Sequence, residues 1–250
     1  MDGKILKELK GHSGNKIYLL ETEDCQFFVH KSGDIKRNVE RLEDLFREFY
    51  DVPFILNTDG ETFMVMEYIH GLDMKEYLKM NTINKLAGFI IETLNSFAKD
   101  AVLCDYTEVY HQKLDWVDSV TDLPFSKDEL ITRLPKELPR SQYHGDFTLE
   151  NLMFSEDKFM MIDAVTIEYD SYIFDIAKLR QDLECKWFLR EDTLKLDVKL
   201  RNLQDKILER FPLAKNDYIL ILMLLRVYRH TQPGDSNHQF IMKEINRLWK

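Results

Sequence analysis

The residues with the clearest chemical potential lie in one short stretch of the chain. His144-Gly145-Asp146 is followed five positions after the aspartate by Asn151, and Asp163 ends the next apolar run. An aspartate beside a substrate hydroxyl can orient that group and accept its proton. An asparagine and a second aspartate supply the oxygen ligands that Mg²⁺ prefers. This spacing predicts a base at Asp146 and a metal site at Asn151 and Asp163.

A hairpin is needed to bring the second aspartate back to the asparagine. Leu152–Phe154 and Phe159–Ile162 read as strands around the turn Ser155–Lys158. Such a hairpin returns Asp163 to the side of Asn151, so that two oxygen ligands meet. The competing interpretation is purely structural: the histidine and first aspartate cap a turn, and the second aspartate ends a strand.

The sequence before this stretch predicts a sheet with one helix. Short runs rich in β-branched and aromatic residues, separated by turn residues, indicate antiparallel strands. These runs are residues 5–9, Lys16–Glu21, Cys25–Lys31, Phe54–Leu56 and Phe63–Glu67. Apolar residues at three- and four-residue spacing predict a helix between the third and fourth strands, which Pro53 ends.

The sequence after Gly71 is mainly helical in its periodicity, over residues 72–79, 83–98 and from Phe174 onward. Pro124, Pro135 and Pro139 indicate a loop ahead of the His144 stretch. The pattern predicts an α+β fold. We expect a small sheet lobe in residues 1–69 and a larger, mainly helical lobe in residues 70–250.

Candidate nucleotide-binding groups lie in the first lobe. The turn Gly11–Asn15, with Ser13, Gly14 and Asn15, could cover phosphates with backbone N–H groups. Lys31, at the end of the third strand, is where a kinase lysine holds the α- and β-phosphates.

The helix and the last strand complete this candidate site. Glu43 flanks the apolar stripe of the helix and is the favoured ion-pair partner of the lysine, with Glu40 as the alternative. The segment Phe63–Gly71 resembles a hinge. Within it, Met66, Glu67 and Tyr68 are nucleotide-binding candidates, and backbone groups at Met66 and Tyr68 could bond an adenine edge.

The motifs HGDFTLEN, VMEYIHG and FFVHK and the pair Ile162-Asp163 together resemble the aminoglycoside phosphotransferase and choline kinase-like family, over residues 5–180. The resemblance implies a bilobal protein-kinase-like fold. It also implies transfer of the γ-phosphoryl group of ATP, or of GTP, to a hydroxyl group of a small molecule, with Mg²⁺. The acceptors in view are aminoglycosides, choline-like amino alcohols and sugars.

The resemblance also implies residue roles. Asp146 is then the catalytic base, His144 supports its loop, and Asn151 and Asp163 are the magnesium ligands. Asp175 matches an aspartate that supports the catalytic loop from the following helix, and a helix N-cap is its structural alternative.

Two departures from the protein-kinase pattern narrow the range of predicted activities. Ala164-Val165 follows Asp163, so the DFG of protein kinases is absent, as is an APE segment, which argues against a protein kinase. The family resemblance also implies that Lys31 and Glu43 hold the phosphates. The turn that would cover the phosphates is short for this family. A catalytically silent nucleotide-binding or interaction protein is the alternative function.

Composition sets the remaining limits. The 250 residues carry a net charge of −10, which argues against a nucleic-acid or anionic-membrane partner. The longest apolar run, Ile219–Leu225, is too short to span a bilayer, and the lysine-interrupted N-terminus is unlike a signal peptide. Three scattered cysteines fit neither a disulfide framework nor a zinc site. We expect a cytoplasmic protein.

Overall fold

The computed structural model describes residues 3–9, 14–49 and 51–250 and separates into two compact units. The first unit runs to Tyr77 and also contains His144–Asp146 and Glu150–Ile167. The second unit contains Leu78–Tyr143, Phe147–Leu149 and Glu168–Lys250. The boundary expected at residue 70 therefore lies inside the first unit, which also takes in most of the stretch with the candidate chemistry.

The first unit is built on an antiparallel sheet whose strands follow the predicted apolar runs closely. The strands are β1 Lys4–Leu9, β2 Lys16–Glu21, β3 Phe27–Ser32, β4 Ile55–Thr58 and β5 Phe63–Glu67. Their order is β1-β2-β3-β5-β4, so β3 is flanked by β2 and β5. The predicted α+β fold with an antiparallel N-terminal sheet is confirmed.

One helix, α1 Lys36–Glu48, connects β3 to β4. Of the apolar stripe that predicted this helix, Val39 and Leu42 are buried, whereas Phe46 is exposed and Leu45 takes the buried position instead. Asn38 and Arg41 are buried on the same helix although both are polar. Buried polar side chains normally have hydrogen-bond or ion-pair partners, so these two indicate where α1 contacts polar groups.

The predicted hairpin is confirmed in the same unit. Strands β9 Leu152–Ser155 and β10 Lys158–Met161 pair antiparallel, with Lys158 opposite Ser155. Glu156 and Asp157 both have positive φ, as the tight turn between such strands requires. A short strand, β6 Leu72–Asp73, pairs with β9 where a continuous helix was expected. Helix α2, Met74–Met80, follows directly.

The second unit is mainly helical. Its helices are α3 Asn84–Ala98, α4 Thr107–Lys113, α5 Lys127–Arg133, α6 Tyr172–Leu183, α7 Asp197–Arg210, α8 Asp217–Tyr228 and α9 Ser236–Leu248. Sequence analysis missed one strand pair here: β7 Val102–Asp105 and β8 Glu137–Arg140 are antiparallel partners. The second of these contains Pro139, which made the segment read as a loop because proline cannot donate a ladder hydrogen bond.

The apolar run Ile219–Leu225 is a buried part of α8, and the side chain of Asn216 caps this helix by accepting from the N–H of Tyr218 and Ile219. In the part of the chain that the structure describes, no helix is long and apolar enough to cross a membrane. The three cysteines are free thiols, and only Cys185 is buried.

Candidate active site

Lys31 lies near the end of β3 and is 2% exposed. It is directly opposite Ile17 on β2 and Met64 on β5. Directly opposite residues share a face of the sheet, and side chains two apart do so too. Lys31, Met64 and Met66 therefore lie on one face, with the lysine toward the end of the strand.

The ammonium group of Lys31 donates to Oδ1 of Asp163 in a close ion pair. The lysine side chain is buried, whereas that of the aspartate is 41% exposed. Asp163 follows β10 and has φ of 60°. This left-handed conformation is uncommon outside glycine and turns the chain at the residue that carries the carboxylate. The sheet and the hairpin thus place a buried cation against an accessible carboxylate.

The segment His144-Gly145-Asp146 is held against the residues that follow Asp163. The N–H of Val165 donates to the carbonyl of His144 at 3.0 Å. Gly145 has φ of 90°, and a Cβ at this position would lie 1.9 Å from the Val165 carbonyl oxygen. Only glycine fits both the conformation and the contact.

His144 is fully buried, and its Nδ1 accepts from the N–H of Asp146 at 3.3 Å. Burial lowers the pKa of the imidazole to about 4, although the carboxylates of Asp146 and Asp163 act in the opposite direction. The ring is therefore neutral at pH 7. A buried, neutral ring that accepts from the loop backbone is suited to supporting the loop rather than to exchanging protons.

Asn151 is tied to Asp146 through its side chain. Its Nδ2 donates to the Asp146 carbonyl at 2.8 Å and to Asp146 Oδ2 at 3.1 Å. The N–H of Ile162 donates to the Asn151 carbonyl at 2.9 Å, which continues the hairpin ladder and places Asp163 one residue further on. Asp146 and Asn151 are thus joined within one loop, and the hairpin that follows brings Asp163 back to Asn151.

This donor set fits magnesium that is bound together with phosphates. Since the Nδ2 group of Asn151 is used by Asp146, its amide oxygen is the atom left for a metal, and Asp163 offers an accessible carboxylate. Over residues 3–9, 14–49 and 51–250 there is no group of three or more His, Cys, Asp or Glu that could hold a metal. Mg²⁺ usually needs only one or two protein oxygens when substrate phosphates complete its shell.

Helix α1 does not bring its glutamates to Lys31. Glu43 is exposed, and its Oε2 lies 3.9 Å from Nη2 of Arg47. Glu40 is exposed as well. The α1 side chain that reaches the site is Asn38, whose Nδ2 donates to Asp163 Oδ1 at 3.3 Å. The expected pairing of Lys31 with Glu43 is therefore not what the structure shows, because the helix turns its carboxylates outward and an amide inward.

The remaining nucleotide-binding candidates lie at the edges of the sheet. Ser13 falls outside the described residues, and Gly14 and Asn15 directly precede β2. Met66 and Glu67 end β5, where the N–H of Glu67 donates to the Phe54 carbonyl at 3.1 Å.

Tyr68, which belongs to the expected hinge, directly follows β5. It thus lies beyond the residues of β5 that pair with the neighbouring strands.

Comparison with known proteins identifies the family. The sequence model of the phosphotransferase enzyme family, APH, matches residues 6–197. The chain belongs to this family. A comparison with curated proteins found no match.

Solved structures show the same fold. One is a protein assigned as a fructosamine-3-kinase from Thermobifida fusca YX-ER1, at a TM-score of 0.61 and 16% identity, covering 98% of this chain and 95% of that one. Another is APH(2")-IIia in a GDP and kanamycin complex, at 0.60 and 14%, covering 99% and 93%. A third is a choline kinase from Cryptosporidium parvum Iowa II, at 0.56 and 12%, covering 98% and 87%.

A buried carboxylate that sequence analysis missed supports the loop of this APH family member. In the second unit, Oδ2 of Asp182 on α6 accepts from the N–H of Leu149 at 2.7 Å. The expected support residue, Asp175, lies seven positions earlier and is 1% exposed. Its N-cap alternative is wrong, since Ser171 caps α6 by accepting from Ile173. Two aspartates two helical turns apart on one helix were the available signal.

Proposed function

We propose that this chain is a Mg²⁺-dependent kinase that transfers the γ-phosphoryl group of ATP or GTP to a hydroxyl group of a small molecule. The observation that carries the proposal is the convergence of Lys31, Asp163, Asn151 and Asp146 within one compact unit. The APH family contains phosphotransferases, and a neighbour of the same fold was solved with GDP and kanamycin.

Each of these residues has a role that its geometry suits. Lys31, a buried cation at the end of β3, would hold nucleotide phosphates. The backbone of residues 66–68 would contact the nucleobase, and Gly14 and Asn15 would lie near the phosphates. Asn151 and Asp163 would hold Mg²⁺ through oxygen. The ion, when bound, neutralises charge on the phosphates.

The reaction needs little more from the protein than position and charge. The acceptor oxygen forms a bond to the γ-phosphorus while the bond to the bridging oxygen breaks, and the nucleoside diphosphate leaves. Asp146 would orient the acceptor hydroxyl and take its proton. Asn151 Nδ2, which donates to Asp146 Oδ2, fixes the carboxylate for that task. The neutral imidazole of His144 would keep the loop in place, and buried Asp175 would help to support it.

The proposal is tested first by calorimetric titration of the purified chain with ATP and with GTP, each with and without Mg²⁺. We expect binding that strengthens with the metal. An acceptor panel of an aminoglycoside, choline, ethanolamine, free sugars and a serine-containing peptide then follows, read as release of nucleoside diphosphate. Turnover with a small hydroxyl compound and none with the peptide supports a small-molecule kinase.

Two results would contradict the proposal in different ways. Absence of binding to either nucleotide would show that the site no longer accepts phosphates. Tight, metal-dependent binding without turnover on any acceptor would instead favour a catalytically silent nucleotide-binding protein.

A further inference from the structure

Asn38 is the α1 side chain that contacts the predicted metal ligand. It is 9% exposed, and its Nδ2 donates to Asp163 Oδ1 at 3.3 Å and to the Ala164 carbonyl at 2.8 Å. The same Oδ1 atom accepts from Lys31. One carboxylate oxygen therefore has two donors, a cation from β3 and a neutral amide from α1.

The backbone of α1 is fixed to the same segment. The N–H of Thr166 donates to the carbonyl of Arg37 at 2.9 Å, next to Asn38 in sequence. Together with the two bonds of the Asn38 amide, this ties the first turn of α1 to residues 163–166. The amide is thus held from behind by its own helix and is not a mobile surface group.

The side chain that α1 brings to this site is an uncharged amide, whereas the corresponding helix of a protein kinase brings a carboxylate. In protein kinases a glutamate of the equivalent helix pairs with the strand lysine. A glutamate would compete with Asp163 for the charge of Lys31 and would repel that carboxylate, whereas Asn38 attracts it. Within the described ranges, the ion pair of Lys31 is with Asp163.

We propose that Asn38 is a positioning residue for Asp163. When phosphates draw Lys31 away from the carboxylate, the amide stays and keeps Asp163 oriented as a metal ligand. The inference rests on the proposed function. It assigns to α1 a neutral hydrogen-bond donor where a kinase site uses a carboxylate.

Two variants separate this role from its alternatives. Asn38→Asp keeps the shape of the side chain but replaces the donor with an acceptor facing Asp163 and the Ala164 carbonyl. Asn38→Ala removes the donor without adding repulsion. If the residue only fills space, aspartate is the better substitute. If it is a hidden lysine partner, aspartate matches the wild type. If it positions Asp163 by donating, aspartate is at least as damaging as alanine.

The measurement is nucleotide affinity by calorimetry, with and without Mg²⁺, on each full-length variant. A hydrogen bond to a charged group corresponds to about tenfold or more in an equilibrium constant, so we expect the gain in affinity due to Mg²⁺ to fall by about tenfold in Asn38→Ala. Asn38→Asp should lose at least as much. Metal-free affinity should change little in the alanine variant, since Lys31 remains in place.

A matched control makes the same change elsewhere in the unit. Asn57→Asp alters an exposed amide on β4 and should leave both affinities unchanged. Thermal unfolding checks that each variant is folded. If Asn38→Asp does not fold, the alanine variant still decides: a purely structural role weakens binding equally with and without the metal.

The outcomes keep the two proposals apart. If the wild type shows no metal-dependent nucleotide binding, the proposed function fails, and this inference fails with it. If the wild type binds as expected but Asn38→Asp keeps the wild-type gain from Mg²⁺, or exceeds Asn38→Ala, only the role of Asn38 is overturned.

Discussion

Two regions of the chain bury a cation among carboxylates, and they do so differently. In the second unit, Arg180 is 4% exposed in its side chain and lies against Glu184 and Asp217. Its Nη1 also donates to the carbonyls of Ala214 and Asn216, so all five guanidinium N–H groups are used.

Lys31 in the first unit is buried just as deeply, yet it is far from saturated. An ammonium group has three N–H donors, and within the described residues Lys31 uses one of them, on Asp163. The carboxylate beside it is 41% exposed. A saturated cation stabilises the fold, whereas one with donors to spare, beside an accessible carboxylate, has capacity for a ligand. The difference predicts that substitutions at the first region affect binding and turnover, and those at the second affect stability.

The largest effect is expected at the proposed base. Asp146→Asn keeps the shape of the side chain but removes its ability to accept a proton. We expect turnover to fall by about 10²–10⁴-fold while the affinity for nucleotide with Mg²⁺ stays near the wild-type value. Steady-state kinetics and calorimetry on the same preparation measure the two quantities. Near wild-type turnover in this variant would contradict the proposed mechanism.

The next effect concerns the proposed metal ligand and differs between two conditions. Asp163→Asn removes the negative charge that Lys31 meets in the free protein. We expect the affinity gain from Mg²⁺ to fall by about tenfold or more, because a charged oxygen ligand is lost. Without the metal, nucleotide should bind as well as to the wild type or better, since the lysine is released for phosphate. Parallel losses in both conditions would mean that the variant had disturbed the site as a whole.

Backbone conformation at the proposed catalytic loop gives the third prediction. In Gly145→Ala the new Cβ would lie 1.9 Å from the Val165 carbonyl oxygen, and a φ of 90° is unfavourable for alanine. The loop must therefore shift. We expect a loss of about 2 kcal/mol in the free energy of unfolding together with reduced turnover. Urea denaturation and kinetics measure these. Gly88→Ala, on α3 with nothing within 4 Å of its added Cβ, is the control: it should leave turnover unchanged and raise the free energy of unfolding by up to about 1 kcal/mol, because alanine favours a helix.

The catalytic stretch was the part of the site most readable from sequence. The roles of Asp146, Asn151 and Asp163 were predicted from their spacing on either side of one hairpin, which is local in sequence and therefore needs few assumptions about packing. The sheet was equally readable, because its strands are neighbours in sequence. The roles themselves stay predictions until the variants above are measured.

What sequence analysis missed depends on how distant segments pack. A helical wheel favoured Glu43, but the facing position is set by how α1 lies against residues 163–166, and that places Asn38 there. The contact between Asp182 and Leu149 joins residues 33 apart and has no local pattern. The strand containing Pro139 was hidden because its pairing, with β7, lies far back in the chain.

The smallest effect is expected in the Arg180 region, on stability alone. Glu184 accepts from Arg180 at 2.7 Å and from Arg247 at 3.2 Å. Glu184→Gln keeps the shape but loses the charge, so we expect the free energy of unfolding to fall by about 1 kcal/mol and the melting temperature by about 2–4 °C. Turnover per folded molecule should not change. Glu209→Gln, an exposed glutamate on α7, is the matched control.

The pH dependence of that loss identifies its source. Burial raises the pKa of Glu184, but the neighbouring guanidinium groups of Arg180 and Arg247 outweigh it and hold the pKa below the usual 4.5. A carboxyl group whose pKa is lowered on folding stabilises the fold fully above its unfolded value and loses that contribution as the pH falls through its folded value. The stability gap between wild type and Glu184→Gln should therefore be constant at neutral pH and close only below pH 4.5. A gap that persists unchanged into acid would mean that lost packing, not lost charge, destabilises the variant, and the Arg180 region would then no longer be the charged counterpart of the Lys31 site.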